Sequence, residues 1–255
     1  MPSRAFTNEE EIAINAIYLS GRSIQNIAKS YNVSRELIWK RLNKMGTEIR
    51  NSKPKKHEIW SRAFDNLNDE IACYWLGFIY ADGYCSKSRP GLEINLSARD
   101  HDHLSKISEF LRTTSRARMV RDKTRFTVSD AYLYDRLTDL GIVPGRPDHK
   151  CCTNRIPHDY YRHWIRGFFD GDGSFLRSSP RVTFCGRLEL MSWVRDLLYS
   201  EIGLKKNKIV RHGSGLRYIN YTIRDQVDAF GEWIYRDCSI YLERKREIFD
   251  GYKTV

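Results

Sequence analysis

The sequence predicts an α+β fold: two pseudo-symmetric αββαββα halves in tandem, each carrying an antiparallel sheet, behind a small all-α domain. Three observations carry this. A short apolar helical motif ending in Asp-Gly occurs twice, as Trp75-Leu76-Gly77-Phe78-Ile79-Tyr80-Ala81-Asp82-Gly83 and as Ile165-Arg166-Gly167-Phe168-Phe169-Asp170-Gly171-Asp172-Gly173. Each copy is followed by the same succession of alternating runs and amphipathic helices, and the motif aspartates lie 90 residues apart, the length of one such unit. The first 46 residues instead show three short helical patterns and no strand. The predicted domains are therefore 1–46, a linker 47–66, and halves 67–156 and 157–255.

The first helix is predicted from about Glu9 to Leu19, with Ile12, Ala16 and Leu19 inward. Gly21 breaks it. Ser23 caps a second helix carrying Ile24, Ile27 and Ala28, and after the turn Tyr31-Asn32-Val33, Ser34 caps a third with Leu37, Ile38 and Leu42 inward. This spacing is that of a helix-turn-helix, whose second helix enters the major groove of DNA. Its outer face carries Arg35, Glu36, Trp39, Lys40 and Asn43. Beyond it, Pro54 interrupts any helix, and Lys53, Lys55 and Lys56 make the linker basic and able to follow phosphates.

In the first half, runs at Tyr84 to Lys87 and Leu92 to Ser97 are joined through Pro90-Gly91. A helix follows from Asp100 to Arg112, then a hairpin turning near Asp122-Lys123-Thr124 and a helix ending at Leu140-Gly141. The second half repeats the order. It has runs about Phe175 and from Arg181 to Cys185, a helix from Leu188 to Ile202, and a hairpin from Lys206 to Arg224 turning at Gly213 to Gly215. Helices from Gln226 to Arg236 and from Tyr241 to Phe249 close the chain.

Strand alternation separates core from surface. With Leu92, Ile94, Leu96, Phe126, Val128, Val182, Phe184, Ile219 and Ile223 inward, the outward set is Glu93, Asn95, Ser97, Arg125, Thr127, Ser129, Arg181, Thr183, Tyr218, Asn220, Thr222 and Arg224. Arg116, Arg118, Lys206 and Lys208 add to it. Amides, hydroxyls and cations mixed in this way both hold phosphates and read base edges. A net charge of +11 and a pI of about 9.4 point the same way, to a polyanionic partner.

Composition bounds the rest. At 41% hydrophobic and 13% aromatic residues, the chain builds a substantial core. Six cysteines without a Cys-x-x-Cys pair read as free thiols in a reducing compartment. No apolar run approaches the roughly 20 residues of a membrane span, so no membrane partner is expected. The run Arg99-Asp100-His101-Asp102-His103 looks like a metal cluster but opens a helix, where Asp100 reads as the capping residue.

The chemistry sits in the two motifs. Gly77 and Ala81, and Gly167 and Gly171, are four apart, so each helix has one shallow face on which another backbone can approach. Each motif then ends in an aspartate facing the negative end of its own helix dipole, followed by a glycine suited to a left-handed terminating residue. Two helices packed through their small faces bring Asp82 and Asp172 together. Paired hard oxygen ligands call for a divalent cation, Mg²⁺ or Mn²⁺.

These motifs resemble those of the LAGLIDADG homing endonucleases of the single-chain, two-motif kind, over about Asp69 to Val255. The first copy departs from the pattern at Tyr80, where the family has its first, non-catalytic acid; the second keeps Asp170. The resemblance implies a DNA-binding saddle of two antiparallel sheets and a monomer acting on a double-stranded DNA target. It also implies metal-dependent cleavage of both strands across the minor groove, leaving short 3′ overhangs. In it Asp82 and Asp172 are the catalytic acids, with Gly83 and Gly173 beside them in the metal site. A basic residue accompanies each acid: Lys150, or else Arg146, in the first half, and Lys245 in the second. Two relatives of other function stand as alternatives. One is a bacterial sporulation-regulator type that binds DNA through a degenerate form of this fold with a helix-turn-helix, and has lost the acids kept here. The other is a group I intron maturase, with intron RNA as partner. The expected location is the cytoplasm, in a bacterial or phage setting or in an organelle.

Overall fold

The computed structural model describes residues 6–49, 57–145, 153–211, 213 and 215–253. Lys53, Lys55, Lys56, Arg146 and Lys150 lie outside the described residues. The chain divides into two compact units, Met1–Pro54 and Lys55–Val255.

The first unit has three helices, α1 (Asn8–Leu19), α2 (Ile24–Ser30) and α3 (Arg35–Lys44). Thr7 and Glu10 form a capping box at α1, and the Ser23 and Ser34 hydroxyls cap α2 and α3. Asn32 takes a positive φ of 52° in the turn between α2 and α3. The core is Ile14, Tyr18, Ile27, Ala28, Ile38 and Leu42. One expectation fails here. Ile12, Ala16 and Leu19 are exposed, Ile12 by 68% and Leu19 by 69%. The first helix carries two apolar stripes, and polar contacts select the other one. Glu11 pairs with Arg41 at 3.0 Å and Asn15 accepts from the Thr47 hydroxyl at 2.9 Å, which turns the Ile14 and Tyr18 side toward the core.

In the second unit, part of the stretch read as linker is core. Ala63 and Phe64 are buried, Phe64 meets the Phe110 ring edge-on at 5.2 Å, and Trp60 N–H donates to the Leu111 carbonyl. Ile59, Trp60, Ala63 and Phe64 recur three and four residues apart, but over only six residues, a run too short beside the basic Pro54 stretch to mark a packed element.

The first half runs α4 (Glu70–Asp82), β1 (Gly83–Cys85), β2 (Leu92–Ser97), α5 (His101–Phe110), β3 (Arg118–Val120), β4 (Lys123–Val128) and α6 (Ala131–Asp139). The second runs α7 (Tyr161–Asp172), β5 (Ser174–Phe175), β6 (Val182–Gly186), α8 (Leu188–Ile202), β7 (Val210–Arg211), β8 (Arg217–Tyr221), α9 (Arg224–Tyr235) and α10 (Glu243–Lys253). Both sheets are antiparallel and share one topology, β1-β2-β4-β3 and β5-β6-β8-β7. In β2 and β4 the alternation holds: Ile94 pairs with Phe126 on the buried face, and Asn95 with Arg125 on the outer one.

The last strand is shorter than its alternation suggested. β8 ends at Tyr221, which fills the core, so Ile223, expected inward, is 54% exposed. Thr222 therefore lies beyond the ladder. Arg224 opens α9, bonded to Asp228 at 2.8 Å and to the Tyr252 carbonyl, rather than standing on the sheet. Lys206 and Lys208 likewise precede β7, and Lys206 pairs with Asp196 at 3.1 Å.

The helices α4 and α7 pack through their small residues. A Cβ on Gly77 would stand 2.1 Å from the Trp164 carbonyl oxygen, and one on Gly167 would stand 1.9 Å from that of Tyr74. On Gly171 it would meet the Ala81 Cβ at 2.3 Å. Neither backbone carbonyl can move aside without breaking its helix. Gly167→Ala is therefore expected to cost at least about 1–3 kcal/mol of stability, and Gly171→Leu a similar amount. Urea unfolding measures it; an unchanged midpoint for Gly167→Ala would refute the close approach.

Candidate active site and nucleic-acid face

Asp82 and Asp172 are the last residues of α4 and α7, so the helix crossing brings both acids to one end of the pair. The Cβ position at Gly171 lies 3.2 Å from Asp82 Oδ2. Neither carboxylate accepts a hydrogen bond from a described residue. Partial burial raises the Asp82 carboxyl above its ordinary value, with Lys245 and Arg244 pulling it back down. Burial, and then the charge of Asp82, push Asp172 up to about 7, although that residue keeps exposed surface. A carboxylate pair held close, without donors of its own, is a donor set for a hard cation. Among the described residues no cluster of three or more His, Cys, Asp or Glu offers an alternative metal site.

The glycines after the acids differ from expectation. Gly83 (φ −82°, ψ 148°) and Gly173 (φ −80°, ψ 169°) are extended, not left-handed. Space is what requires them. A Cβ on Gly83 would lie 2.5 Å from the Ile79 carbonyl oxygen, and one on Gly173 would lie 2.1 Å from the Phe169 ring.

Without a left-handed cap, the last carbonyls of α7 need another donor, and Lys245 supplies it. The residue is only 3% exposed, and its ammonium donates to the carbonyls of Phe169 at 2.6 Å and Asp170 at 2.8 Å, and also reaches those of Gly171 and Gly173. Three N–H donors face four carbonyls, so none remains for a phosphate or a water. One lone pair of Gly173 is thereby engaged as well. Burial lowers the Lys245 pKa to about 8, against the attraction of Asp170, Asp82 and Asp172.

Beneath the acids lies a buried polar layer that sequence reasoning missed. Asp170 Oδ2 accepts from the Tyr74 hydroxyl at 2.9 Å and from Leu242 N–H at 2.7 Å, and Oδ1 accepts from Tyr235 at 3.4 Å. Burial raises Asp170 to about 6, with Lys245 the main opposing influence. Arg166, fully buried, donates to the Ile240 and Ile234 carbonyls and to Glu70 at 2.6 Å. These bonds tie α4, α7 and the segment before α10 together. A charged residue inside the apolar run Ile165 to Phe169 was the available signal. At the place in the first motif equivalent to Asp170, Tyr80 packs edge-on against Trp164 at 5.4 Å and Phe168 at 5.9 Å. Asp100, read as a helix cap, makes no capping bond; it is buried and accepts from Arg244 Nε at 2.8 Å. A partner 144 residues away outweighs the local role.

The outward strand residues fall on two polar faces. In the first sheet these are Ser97, Arg118, Arg125 and Thr127, all exposed, with Asn95 half-buried. Arg116, just before β3, is exposed and donates to the Thr113 and Ser115 carbonyls. In the second sheet Thr183 donates to Asn220 Oδ1 at 2.7 Å, Tyr218 and Asn220 are half-buried, and Arg181 is exposed. In the N-terminal unit Arg35, Glu36, Trp39 and Lys40 are exposed on α3, Lys40 pairing with Glu36 at 2.9 Å.

No protein-family model matches the sequence, and neither does any curated protein. Solved structures do resemble it. Mesophilic variants of the homing endonuclease I-DmoI align at a TM-score of 0.53 and 18% identity, over 73% of this chain and 99% of that one. The crystal structure of I-DmoI in complex with DNA and Ca gives the same values. The LAGLIDADG meganuclease I-CpaMI, bound to uncleaved DNA, aligns at 0.50 and 13%, over 71% of this chain and 89% of that one. Paired glycine-faced helices, two sheets of one topology and these alignments together give the chain the LAGLIDADG homing-endonuclease fold.

Proposed function

We propose that the chain is a site-specific endonuclease that cuts both strands of a DNA duplex across the minor groove and leaves short 3′ overhangs. The observation that carries this is the meeting of Asp82 and Asp172 at one end of the α4–α7 pair, in a chain with two polar, cation-bearing sheet faces. Asp82 and Asp172 would hold Mg²⁺ or Mn²⁺, and I-DmoI has been crystallised with DNA and Mn. A bound divalent cation supplies charge opposite the scissile phosphate and makes a water more acidic. The chain's own part is positional: the sheets orient the duplex, and Lys245 with the Asp170 layer fixes the helix ends that bear the acids. The test is selection of cleaved sites from a random duplex library with Mg²⁺. A defined site cut on both strands supports the reading; selective binding without any cleavage would favour a regulator instead.

The N-terminal unit extends the DNA interface in this proposal, α3 presenting Arg35 and Lys40 to a major groove. Because Ala63 and Phe64 belong to the core, a fragment without this unit must begin near residue 55. Such a fragment is expected to fold and cleave with weaker binding. Its log–log salt dependence flattens by about 0.9 for each phosphate it no longer neutralises, and its footprint shortens on one side only. An unchanged footprint and salt slope would remove DNA binding from the role of the three helices.

A further inference from the structure

We propose that Arg125, held in place by Asn95 and Glu93, reads a guanine in the major groove of the half-site covered by the first sheet. The inference rests on the endonuclease reading and deepens it. Arg125 and Asn95 are directly opposed on β4 and β2, on the outer face of the ladder. Arg125 Nε donates to Asn95 Oδ1 at 2.7 Å, Asn95 Nδ2 donates to Glu93 Oε1 at 2.7 Å, and Glu93 Oε1 lies 3.6 Å from Arg125 Nε. This closed set fixes the amide: its oxygen faces a donor and its nitrogen an acceptor, and a flip would break both bonds. With Nε engaged, the guanidinium loses little further freedom on binding. Its two terminal nitrogens bond to no described residue, and they form the flat fork that matches two acceptors side by side.

Charge decides which acceptors those are. A cation meant for phosphate works best without a competing carboxylate, and Glu93 offsets the charge of Arg125. A neutral base edge tolerates that offset, and guanine is the base that shows two acceptors, O6 and N7, in the major groove. A two-stranded β-ribbon fits that groove, whereas the undistorted minor groove is about half as wide. Asn95, with one donor and one acceptor already engaged, acts as a positioning residue and not as a reader of adenine. Arg118 supplies an internal contrast. It lies opposite Arg125 on β3, exposed, and has no carboxylate partner among the described residues, so it suits a phosphate.

The test is binding selection by the full chain from a randomised duplex library in Ca²⁺. Competition between the selected duplex and its single-base variants follows, for the parent protein and for Arg125→Ala, Glu93→Gln and Arg118→Ala. One position on the first-sheet side should prefer guanine by about 5- to 150-fold, and Arg125→Ala should abolish that preference alone. Glu93→Gln should weaken the same preference while raising affinity for unrelated duplex. Arg118→Ala should weaken all sequences alike and lower the salt slope by about 1. The inference is overturned if Arg125→Ala behaves as Arg118→Ala does, or if no position changes. A parent that selects and cuts a site but lacks the guanine signature sinks the inference alone; a parent that selects no duplex sinks the endonuclease reading with it.

Discussion

Asp82→Asn and Asp172→Asn are each expected to stop double-strand cleavage while leaving the duplex bound. Each acid ends its own helix and belongs to one half, and in the proposed mechanism each serves one strand of the duplex. Metal-assisted stabilisation of the charge growing on a phosphate is worth several kcal/mol, which corresponds to a loss of about a thousandfold or more. Folding should survive, because neither carboxylate bonds to a described residue. Burial, with repulsion from Asp82 second, gives a further readout in metal-free buffer. The Asp172 pKa in the folded chain, about 7, exceeds its unfolded value, so the parent loses stability as pH rises toward 7. The neutral amide does not, and the stability difference should move in favour of Asp172→Asn across that window. Either variant cutting both strands at the parent rate would remove the two-acid assignment.

What the sequence revealed of this site is what short-range pattern encodes. The Asp-Gly ends, the four-residue spacing of Gly77 with Ala81 and of Gly167 with Gly171, and the alternation in β2, β4 and β6 are local features. All of them hold in the structure. Two of the misses share a physical origin: a local preference was outweighed by a distant partner. The first helix offered two apolar stripes, and Arg41 and Thr47, about 30 residues on, select the one that is buried. Asp100 suited a helix start, and Arg244 takes its carboxylate instead. Gly83 and Gly173 looked like left-handed caps, but side-chain and backbone crowding from four residues earlier explains them.

The polar layer under the acids was illegible for the same reason. Arg166 reaches Glu70 across 96 residues, and Asp170 gathers donors from Tyr74, Tyr235 and Leu242. The placement of Arg166 in an apolar run and the acid Asp170 mark the layer in the sequence, but not their partners. In the proposed endonuclease the layer would act through rigidity. Metal-site chemistry needs its ligands held to within a fraction of an ångström, and bonds from both halves converge directly below the acids.

Lys245→Met is expected to unfold the site before any question of chemistry arises. The side chain is about the right length and fills the same space, but it donates nothing. The carbonyls of Phe169 and Asp170 then lose their shared donor, at the C-terminal end of a buried helix where the dipole is negative. Asp170, itself buried, loses the cation that does most to hold down its pKa. Breaking a buried charged network by removing one partner costs about 3–5 kcal/mol, so a large fall in the urea midpoint is expected. Lys245→Arg should recover little, because the planar fork cannot point its donors at four carbonyls grouped around one nitrogen. A lysine that acted by touching the phosphate or the attacking water would behave otherwise. Lys245→Met would then keep the parent's stability and DNA affinity and lose only the rate. Measuring unfolding, duplex binding and cleavage on the one variant separates the two roles, and a variant of parental stability would return Lys245 to direct chemistry.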